Sequence, residues 1–340
     1  MIDRLEEIKS FKKNKNRKAL NEGLKLWKRK VEIPDPISLY KQILTPEILS
    51  HFRSTVSQNV IYDLKQNHNR EIDYFDLPPL LYIYYSLYSD PKSYSHIVID
   101  EAQDLSYAHF AVLKKITKTM TILGDVEQSI FIDYGQSNWE GVQELIFNSN
   151  KDMQLNMSTS YRSTKEIIES ANKVLTNQFP KHESITALNR SGPNVDINKI
   201  NDGEDLLKNI TTTLTKWKKK YNRVAIIHKD EAKAMRLTEY LKTEYQDEVS
   251  YINTDTTTNT GFISVLASYN SKGMEFDAVI LANVNEATFP KDDFHARLLY
   301  VLLTRAQEEV QVFYQDTPSL LLKGLVEKEP IHASLFDDIL

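Results

Sequence analysis

The stretch HIVIDEAQDLS, residues 96–106, leads an apolar run directly into a group of acidic side chains. The β-branched residues 97–99 favour a buried strand, and Asp100 and Glu101 follow immediately. Adjacent carboxylates at the end of a buried strand are unfavourable unless a cation or a hydrogen-bond donor compensates them. In a parallel sheet this position is the carboxyl edge, where ligands bind. The stretch therefore predicts a ligand site in an α/β fold.

Two adjacent carboxylates can divide the work of a phosphate-cleaving site. One can hold Mg²⁺, usually through water, and its neighbour can orient and deprotonate the water that attacks a γ-phosphate. The alternative is structural, because Asp100 or Asp104 could simply cap the helix that follows. A strand ending in Asp-Glu fits both interpretations, and the longer VIDEAQD favours the first.

A second stretch, TILGDVEQSIF at 121–131, repeats the pattern of a strand followed by polar residues. The strand ends at Gly124 and Asp125, and Gln128 follows within one turn. A glutamine at this position could sense a phosphate bound at the neighbouring strand edge. Taken alone, the stretch could also be an ordinary β-turn.

Short apolar runs alternate with helical patterns from residue 96 onward. Strands are predicted at HIVID, MTILGD, RVAIIH, FISVLAS, DAVILANV and VQVFY. Helices are predicted at YAHFAVLKKIT, at STKEIIESANKVL with Ser163 as its N-cap, and at ARLLYVLLTRAQEE. This alternation predicts an α/β protein with parallel sheets that helices cover on both faces.

The composition is that of an ordinary globular protein. The chain has 340 residues, enough for two domains, with 41% apolar residues, 26% charged residues and a net charge of −5. It has no cysteine, which excludes disulfides and thiolate metal sites. It has neither a signal-peptide pattern nor an apolar run of about 20 residues, so we expect a cytoplasmic protein with no membrane partner.

Basic residues concentrate at the N-terminus. Residues 1–30 contain eleven Lys and Arg against four acidic residues. The simpler interpretation is a solvated helical face. The alternative is a surface that contacts phosphates or an acidic protein.

Five segments resemble, in the correct order, the motifs of superfamily 1 helicases of the UvrD/Rep kind. They are VIDEAQD (motif II), LGDVEQSI (motif III), YRSTKEIIESAN (motif IV), SKGMEFDAVIL with its extension NVNEATFP (motif V), and RLLYVLLTRAQEEV (motif VI). The resemblance covers roughly residues 77–315. It implies RecA-like motor lobes, ATP and Mg²⁺ as cofactors, and nucleic acid, chiefly DNA, as a partner.

The resemblance also implies roles for individual residues. Asp100 would ligate Mg²⁺, Glu101 would be the general base, and Arg162 and Arg305 would stabilise charge on the transferred phosphoryl group. Gln128 would contact the γ-phosphate, with Asp125 beside it, Tyr161 would stack on adenine, and Glu275 would approach the sugar and phosphates. Nucleic-acid contacts would come from Phe131, Tyr269, Asn270 and Ser271. The structural alternative for Arg305 is a helix-surface ion pair with Glu308 or Glu309.

The chain departs from this family in its phosphate-binding loop. That loop has the pattern G-x-x-x-x-G-K-[ST], and none of the nine glycines here is followed by a lysine. We therefore expect the C-terminal motor segment of a longer protein, whose N-terminal part is a missing partner. We expect this chain alone to be inactive as an ATP hydrolase.

Further departures concern the nucleic-acid contacts and the second lobe. After motif III, Phe131 keeps one stacking aromatic and Asp133 replaces the other. Motif V opens with Ala267 and Tyr269 in place of Thr-x-His, and only about a hundred residues separate motif IV from motif V. These features resemble the helicase IV/HelD branch, whose members bind RNA polymerase. That resemblance implies an ATP-driven remodeller of RNA polymerase or nucleic-acid complexes.

Three segments are expected. Residues 1–75 would be a basic helical segment, placed at the end of a family-specific insertion. Residues 76–155 would be the C-terminal part of an incomplete first RecA-like lobe, and 156–340 a complete second lobe. Two alternatives stay open: a segment of a conventional UvrD/Rep-like DNA helicase, and a truncated, non-enzymatic binding module.

Overall fold

The computed structural model describes residues 34–49, 71–88, 91–131, 135–136, 138–146, 152–188, 190–253 and 261–326. The basic segment 1–30 and Asp133 lie outside these residues. The chain forms two compact units, Met1–Ser95 with Ala111–Lys118 and His96–Phe110 with Thr119–Leu340, which we call the N-terminal and C-terminal units. Within the described ranges, no helix has the length and apolar character needed to cross a bilayer.

The described part of the N-terminal unit is helical. It contains α1 (Pro36–Ile43), α2 (Pro46–Leu49) and α3 (Leu77–Leu87). Asp35 caps α1, because its carboxylate accepts from the backbone N–H groups of Ile37 and Ser38. The Tyr40 hydroxyl donates to the buried Asp76 at 2.6 Å, which satisfies a carboxylate that would be costly to bury alone.

The C-terminal unit begins with two short parallel strands, β1 (Ile97–Ile99) and β2 (Met120–Ile122). Helix α4 (Tyr107–Ile116) lies between them in the sequence. Ile99 pairs with Ile122, so both strands end at the same edge. The predicted strands HIVID and MTILGD are confirmed, and the acidic residues that follow them share one sheet edge.

A six-stranded parallel sheet is the centre of the C-terminal unit, in the spatial order β5-β10-β9-β6-β8-β7. Its strands are β5 (Asp196–Ile200), β6 (Val224–His228), β7 (Val249–Ile252), β8 (Ile263–Ala267), β9 (Phe276–Ala282) and β10 (Ala306–Gln315). A small parallel pair, β3 (Thr159–Ser160) and β4 (Thr186–Ala187), stands apart from it. The helices are α5 (Glu140–Ile146), α6 (Lys165–Gln178), α7 (Gly203–Trp217), α8 (Glu231–Tyr245) and α9 (Asp293–Leu303).

Helices cover both faces of the six-stranded sheet because its strands are apolar on both sides. Successive side chains of a strand point to opposite faces. Ala225 and Ile227 share a core with α6 and α9, whereas Val224 and Ile226 share the other core with α7 and α8. The prediction of an α/β fold with helix-covered parallel sheets is confirmed, and the completeness of each motor lobe stays a prediction.

Two element boundaries differ from the sequence prediction. Helix α9 ends at Leu303 and β10 begins at Ala306, so a helix through residue 309 is wrong. Helix α6 begins at Lys165 with Thr164, not Ser163, at the N-cap position. Ser163 instead donates its hydroxyl to the Ala306 carbonyl at 2.6 Å, a contact across 143 residues that no local pattern can predict.

A buried histidine at the end of β6 is expected to make the stability of the protein depend on pH. Burial, the main cause, lowers the pKa of His228, and its Nδ1 accepts from the Asp230 N–H at 2.9 Å. The unfolded chain therefore binds the proton more readily, and the free energy of unfolding falls as pH drops below about 6.5, by at most about 1.4 kcal/mol per pH unit. Urea unfolding at pH 7.5 and 5.5 measures this. H228N keeps an acceptor without titrating, so an unchanged pH slope in that variant would contradict the assignment.

Candidate active site

Carboxylates from two segments meet at the carboxyl edge of β1 and β2. Asp100 and Glu101 directly follow β1, and Asp125 follows β2 by three residues. Asp100 is exposed, and its Oδ1 accepts from the Glu101 N–H at 2.9 Å. The adjacent acids predicted at a strand end therefore lie at the edge where ligands bind in open α/β sheets.

The backbone at Glu101 is held in an unusual conformation. Its φ of 52° lies in the left-handed region, which costs about 1–2 kcal/mol for a residue other than glycine. The next N–H, of Ala102, donates to the Leu123 carbonyl at 2.9 Å and ties this turn to the segment after β2. Such a conformation persists only where the surrounding structure imposes it, and it aims the Glu101 side chain independently of the strand.

Gln103 connects the two acidic turns from a fully buried position. Its Nε2 donates to Glu101 Oε2 at 2.5 Å, and its Oε1 accepts from the Asp125 N–H at 3.0 Å. One amide therefore orients a candidate base on the first turn and the backbone of the second. Gln103 belongs to VIDEAQD, and no sequence pattern indicated this role for it.

Gly124 has no side chain, and the Gln103 amide occupies the space beside it. A Cβ at position 124 would lie 2.7 Å from Gln103 Oε1 and 2.9 Å from the Trp139 ring. G124A is therefore expected to lower the free energy of unfolding by about 1–3 kcal/mol, as overpacking does, and to displace the Gln103 amide. Urea unfolding measures this. The matched control is G203A at the start of α7, where a Cβ would meet nothing within 4 Å; equal effects at both positions would contradict the steric argument.

Gln128 lies where these acidic turns meet the larger sheet. Asp125 caps the short helix Val126–Gln128, and its Oδ2 accepts from Gln128 Nε2 at 2.9 Å. The amide oxygen of Gln128, Oε1, accepts from Nη2 of Arg305 at 3.0 Å. Gln128 therefore joins the carboxyl edge of β2 to the residue that precedes β10.

Arg305 is only 4% exposed and occupies the turn between α9 and β10. Within the described part of the chain, the three oxygens that accept from its guanidinium are neutral: the carbonyls of Val301 and Met274, and Oε1 of Gln128. Burial, followed by the nearby Arg162, lowers the pKa of Arg305, while the carboxylates of Glu101 and Glu275 raise it from outside hydrogen-bond contact. The structural alternative of a surface ion pair with Glu308 or Glu309 is therefore wrong. The site holds a buried positive charge that an anion would stabilise.

Arg162 approaches the same region from the turn after β3. Its Nε forms an ion pair with Glu275 Oε1 at 2.8 Å, and the second carboxylate oxygen accepts from Gln307 Nε2 at 3.0 Å. Here Glu275 holds Arg162, a contact the sequence did not indicate. Tyr161 is 71% exposed, and its ring is open to stacking.

A polar cavity of about 180 Å³ brings these side chains together. It is lined by residues of the turns after β2 and β3, by α9 and by the turn that enters β10. Among its lining residues are Asp125, Gln128, Tyr161, Arg162 and Arg305. Two guanidiniums around one small cavity fit a phosphate group, whose oxygens accept from them bidentately.

Lys272 joins the acidic turn to the nucleic-acid candidates. Its Nζ lies 2.5 Å from Asp104 Oδ1, donates to the Gln128 carbonyl at 3.1 Å, and lies 5.2 Å from the centre of the Phe131 ring. Burial, the largest effect, raises the pKa of Asp104, while Lys272 lowers it. Phe131 is half-buried against the core. Lys272 belongs to the motif V stretch SKGMEFD, and no sequence pattern indicated its ion pair with Asp104.

The other nucleic-acid candidates lie in the short helix Ser268–Ser271, at the carboxyl end of β8. Tyr269 is 47% exposed, and its hydroxyl donates to Glu231 at 2.5 Å. Asn270 donates weakly to the Ile252 carbonyl, at 3.4 Å. Ser271 is fully buried, and its hydroxyl donates to the Ser268 carbonyl, so its side chain is not presented to a ligand here.

The donor set at the β1–β2 edge suits a hard cation. It offers carboxylate oxygens, which Mg²⁺ prefers, and Mg²⁺ in nucleotide sites uses one or two carboxylates with water and phosphate. Within the described residues, no cluster of three or more His, Asp or Glu side chains could enclose a metal by itself. Asp100 therefore fits a site that a phosphate ligand would complete.

Three family models match consecutive segments of the chain. Residues 5–134 match the UvrD/REP helicase N-terminal domain, and residues 155–265 and 262–313 match two models of the UvrD-like helicase C-terminal domain. The first match begins well before motif II. A resemblance beginning near residue 77 was therefore too narrow an expectation.

Curated relatives are DNA helicases of greater length. A protein of Mycoplasma capricolum described as a probable DNA helicase II homolog is 28% identical over 216 residues, which cover 58% of this chain and 27% of the relative. The ATP-dependent DNA helicase PcrA of Staphylococcus aureus is 24% identical over 212 residues, covering 59% of this chain and 28% of PcrA. The chain thus spans under a third of these relatives.

A solved structure also matches. It is the C-terminal domain of a possible DNA helicase from Lactobacillus plantarum, with 27% identity and a TM-score of 0.40. The match covers 48% of this chain and 92% of that domain.

Proposed function

Because this chain belongs to the UvrD-like helicase family, we propose that its cavity binds the terminal phosphates of Mg·ATP and couples their cleavage to nucleic acid. The observation that carries the proposal is the buried guanidinium of Arg305. It faces a cavity shared with Arg162 and has neutral hydrogen-bond partners. A phosphate would supply an anionic partner in direct contact with this guanidinium.

Each side chain has a role set by its position. Asp100 would hold Mg²⁺, which would supply positive charge to the phosphates, and Glu101 would take the proton from the attacking water. Gln103 keeps the Glu101 carboxylate in place. Gln128 contacts the γ-phosphate, because its amide lies between Asp125 and Arg305.

The nucleotide would extend from this cavity toward Tyr161. The exposed ring offers a stacking face for adenine, while Arg162 and Arg305 stabilise charge on the transferred phosphoryl group. Glu275 would release Arg162 to the phosphates and turn to the sugar. Lys272 would transmit a movement of Gln128 to Phe131. Tyr269 and Asn270 would contact nucleic acid.

We infer that full turnover needs a phosphate-binding loop that this sequence does not contain. None of its nine glycines precedes a lysine. The backbone cradle and lysine of such a loop hold the β- and γ-phosphates, so the present site binds Mg·ATP weakly and hydrolyses it slowly without them.

A second candidate is an HelD-like remodeller of RNA polymerase. Two observations favour it. Between residues 190 and 253, the described chain is accounted for by β5, α7, β6, α8 and β7 with short connections, which leaves no inserted domain there. Tyr269 also occupies the start of motif V.

The test is binding and hydrolysis of Mg·ATP by the purified chain, with a fluorescent ATP analogue and a phosphate-release assay. We expect weak binding that E101Q leaves intact, and little phosphate release. Rapid release that E101Q does not reduce would overturn the site assignment. Stimulation of the slow release by single-stranded DNA supports the DNA helicase candidate, and stimulation by RNA polymerase alone supports the remodeller. Absence of ATP binding favours a non-enzymatic module.

A further inference from the structure

Arg190 lies outside the cavity, yet it contacts both segments that carry the site's arginines. Its Nη1 donates to the Arg162 carbonyl at 3.0 Å, and its Nη2 donates to the Gln307 carbonyl at 3.3 Å. Nη2 also contacts the Glu308 carboxylate. One planar guanidinium therefore joins the turn after β3 to the beginning of β10.

The same two segments are joined a second time through their side chains. Arg162 Nε pairs with Glu275 at 2.8 Å, and Gln307 Nε2 donates to the other oxygen of that carboxylate at 3.0 Å. These contacts close a ring from Arg190 through Arg162, Glu275 and Gln307 back to Arg190. Arg162 is thus held at two points, its carbonyl by Arg190 and its Nε by Glu275.

Backbone hydrogen bonds connect this ring of contacts to the segment that carries Arg305. The Thr164 N–H donates to the Gln307 carbonyl at 3.2 Å, and the Lys165 N–H donates to the Arg190 carbonyl at 2.9 Å. Arg305 precedes Gln307 by two residues, and Arg162 is close enough to lower its pKa. The spacing of the two positive charges thus depends on how the β3 turn sits on β10.

From these contacts we infer that Arg190 is a positioning residue, which holds Arg162 at a set distance from Arg305 for phosphate binding. The inference rests on the proposed function. A lysine cannot replace it, because an ammonium lacks the planar fork that reaches two carbonyls at once. A simple surface ion pair with Glu308 would be the weaker explanation, since such pairs contribute little.

The experiment measures how fast each arginine of the full chain reacts with phenylglyoxal, resolved by mass spectrometry. Arg236, exposed on α8, is the internal reference. We expect R190K to raise the rate at Arg162 by about threefold to tenfold, the effect of losing one or two hydrogen bonds. Q307M, which releases Glu275 from the other side, is expected to raise it similarly. E308Q keeps both carbonyl contacts, so it should stay within about twofold of the wild type.

A thermal melt of each variant identifies unfolding, and R190Q, whose shorter side chain has a single amide nitrogen, decides the matter if R190K does not fold. An unchanged Arg162 rate in folded R190K, or in folded R190Q, would overturn the inference. If E308Q raised the reaction rate at Arg162 as much as R190K does, Arg190 would act only as an ion-pair partner of Glu308. Protection of Arg162 by Mg·ATP in the wild type tests the proposed function separately. Its absence, with the variant rates still raised, would reject that function and leave the positioning role standing.

Discussion

Replacement of Arg305 by methionine is expected to weaken Mg·ATP binding by about 100-fold, equivalent to about 2.7 kcal/mol. The guanidinium is buried at the cavity, and its acceptors in the described chain are neutral, so its charge is available to a phosphate. Hydrogen bonds to charged groups contribute about 1.5–3 kcal/mol each, and a phosphate can accept more than one. The measurement is the dissociation constant, with the rise in melting temperature on adding Mg·ATP as a second readout.

The same substitution should have little effect on the free protein. Removing a buried charge relieves its desolvation, which offsets the three lost hydrogen bonds, so the change in unfolding free energy is expected to stay within about 1.5 kcal/mol. R236M on the exposed surface of α8 is the matched control. Equal ATP affinity in R305M and R236M would mean that phosphate binds elsewhere.

Replacement of Lys272 by methionine is expected to lower the free energy of unfolding by about 2–3 kcal/mol at pH 7.5, because it leaves the partly buried Asp104 carboxylate without its cation. The Lys272 side chain is 13% exposed and that of Asp104 is 21% exposed, so solvent screens the pair only partly. Urea unfolding measures the loss. The double variant D104N/K272M should recover most of it, since the uncompensated charge is then absent.

The Lys272 effect should depend on pH in a definite direction. Burial already raises the pKa of Asp104, and loss of Lys272 removes an opposing influence. The variant's Asp104 therefore takes up a proton more readily, and its deficit relative to wild type narrows between pH 7.5 and pH 5. K218M, which breaks the exposed pair with Glu248, is the control and should change stability by less than about 1 kcal/mol. A pH-independent deficit would mean that lost packing, not charge, is responsible.

The alternating apolar runs were sufficient to predict the fold class. Each strand is specified by residues that are neighbours in the chain. The spacing of its apolar side chains indicates whether one or both faces of the strand are buried. β6 shows this, because VAIIH is buried at all five positions. The ends of β1 and β2 are local as well, and this is why the sequence could place Asp100, Glu101 and Asp125 at strand ends, which the pairing of β1 with β2 brings to one edge.

The second half of the site depended on contacts between distant segments. The sequence prediction placed Arg305 on a helix because it took ARLLYVLLTRAQEE as one element, but the helix ends at Leu303 and Arg305 is buried in the turn that follows. Glu275 was assigned to the nucleotide, and no local pattern indicated that it also pairs with Arg162, 113 residues earlier in the sequence.

The sequence by itself therefore determined the strand–helix order, the acidic edge and the family motifs, since these depend on residues that are neighbours in the chain. Only the tertiary structure decided that Gln103 ties the Glu101 turn to Asp125, that Lys272 compensates Asp104, and that Arg190 links Arg162 to β10. The physical reason is register. Which side chains meet across packed segments depends on how β3, β9 and β10 align, and no local pattern specifies that alignment.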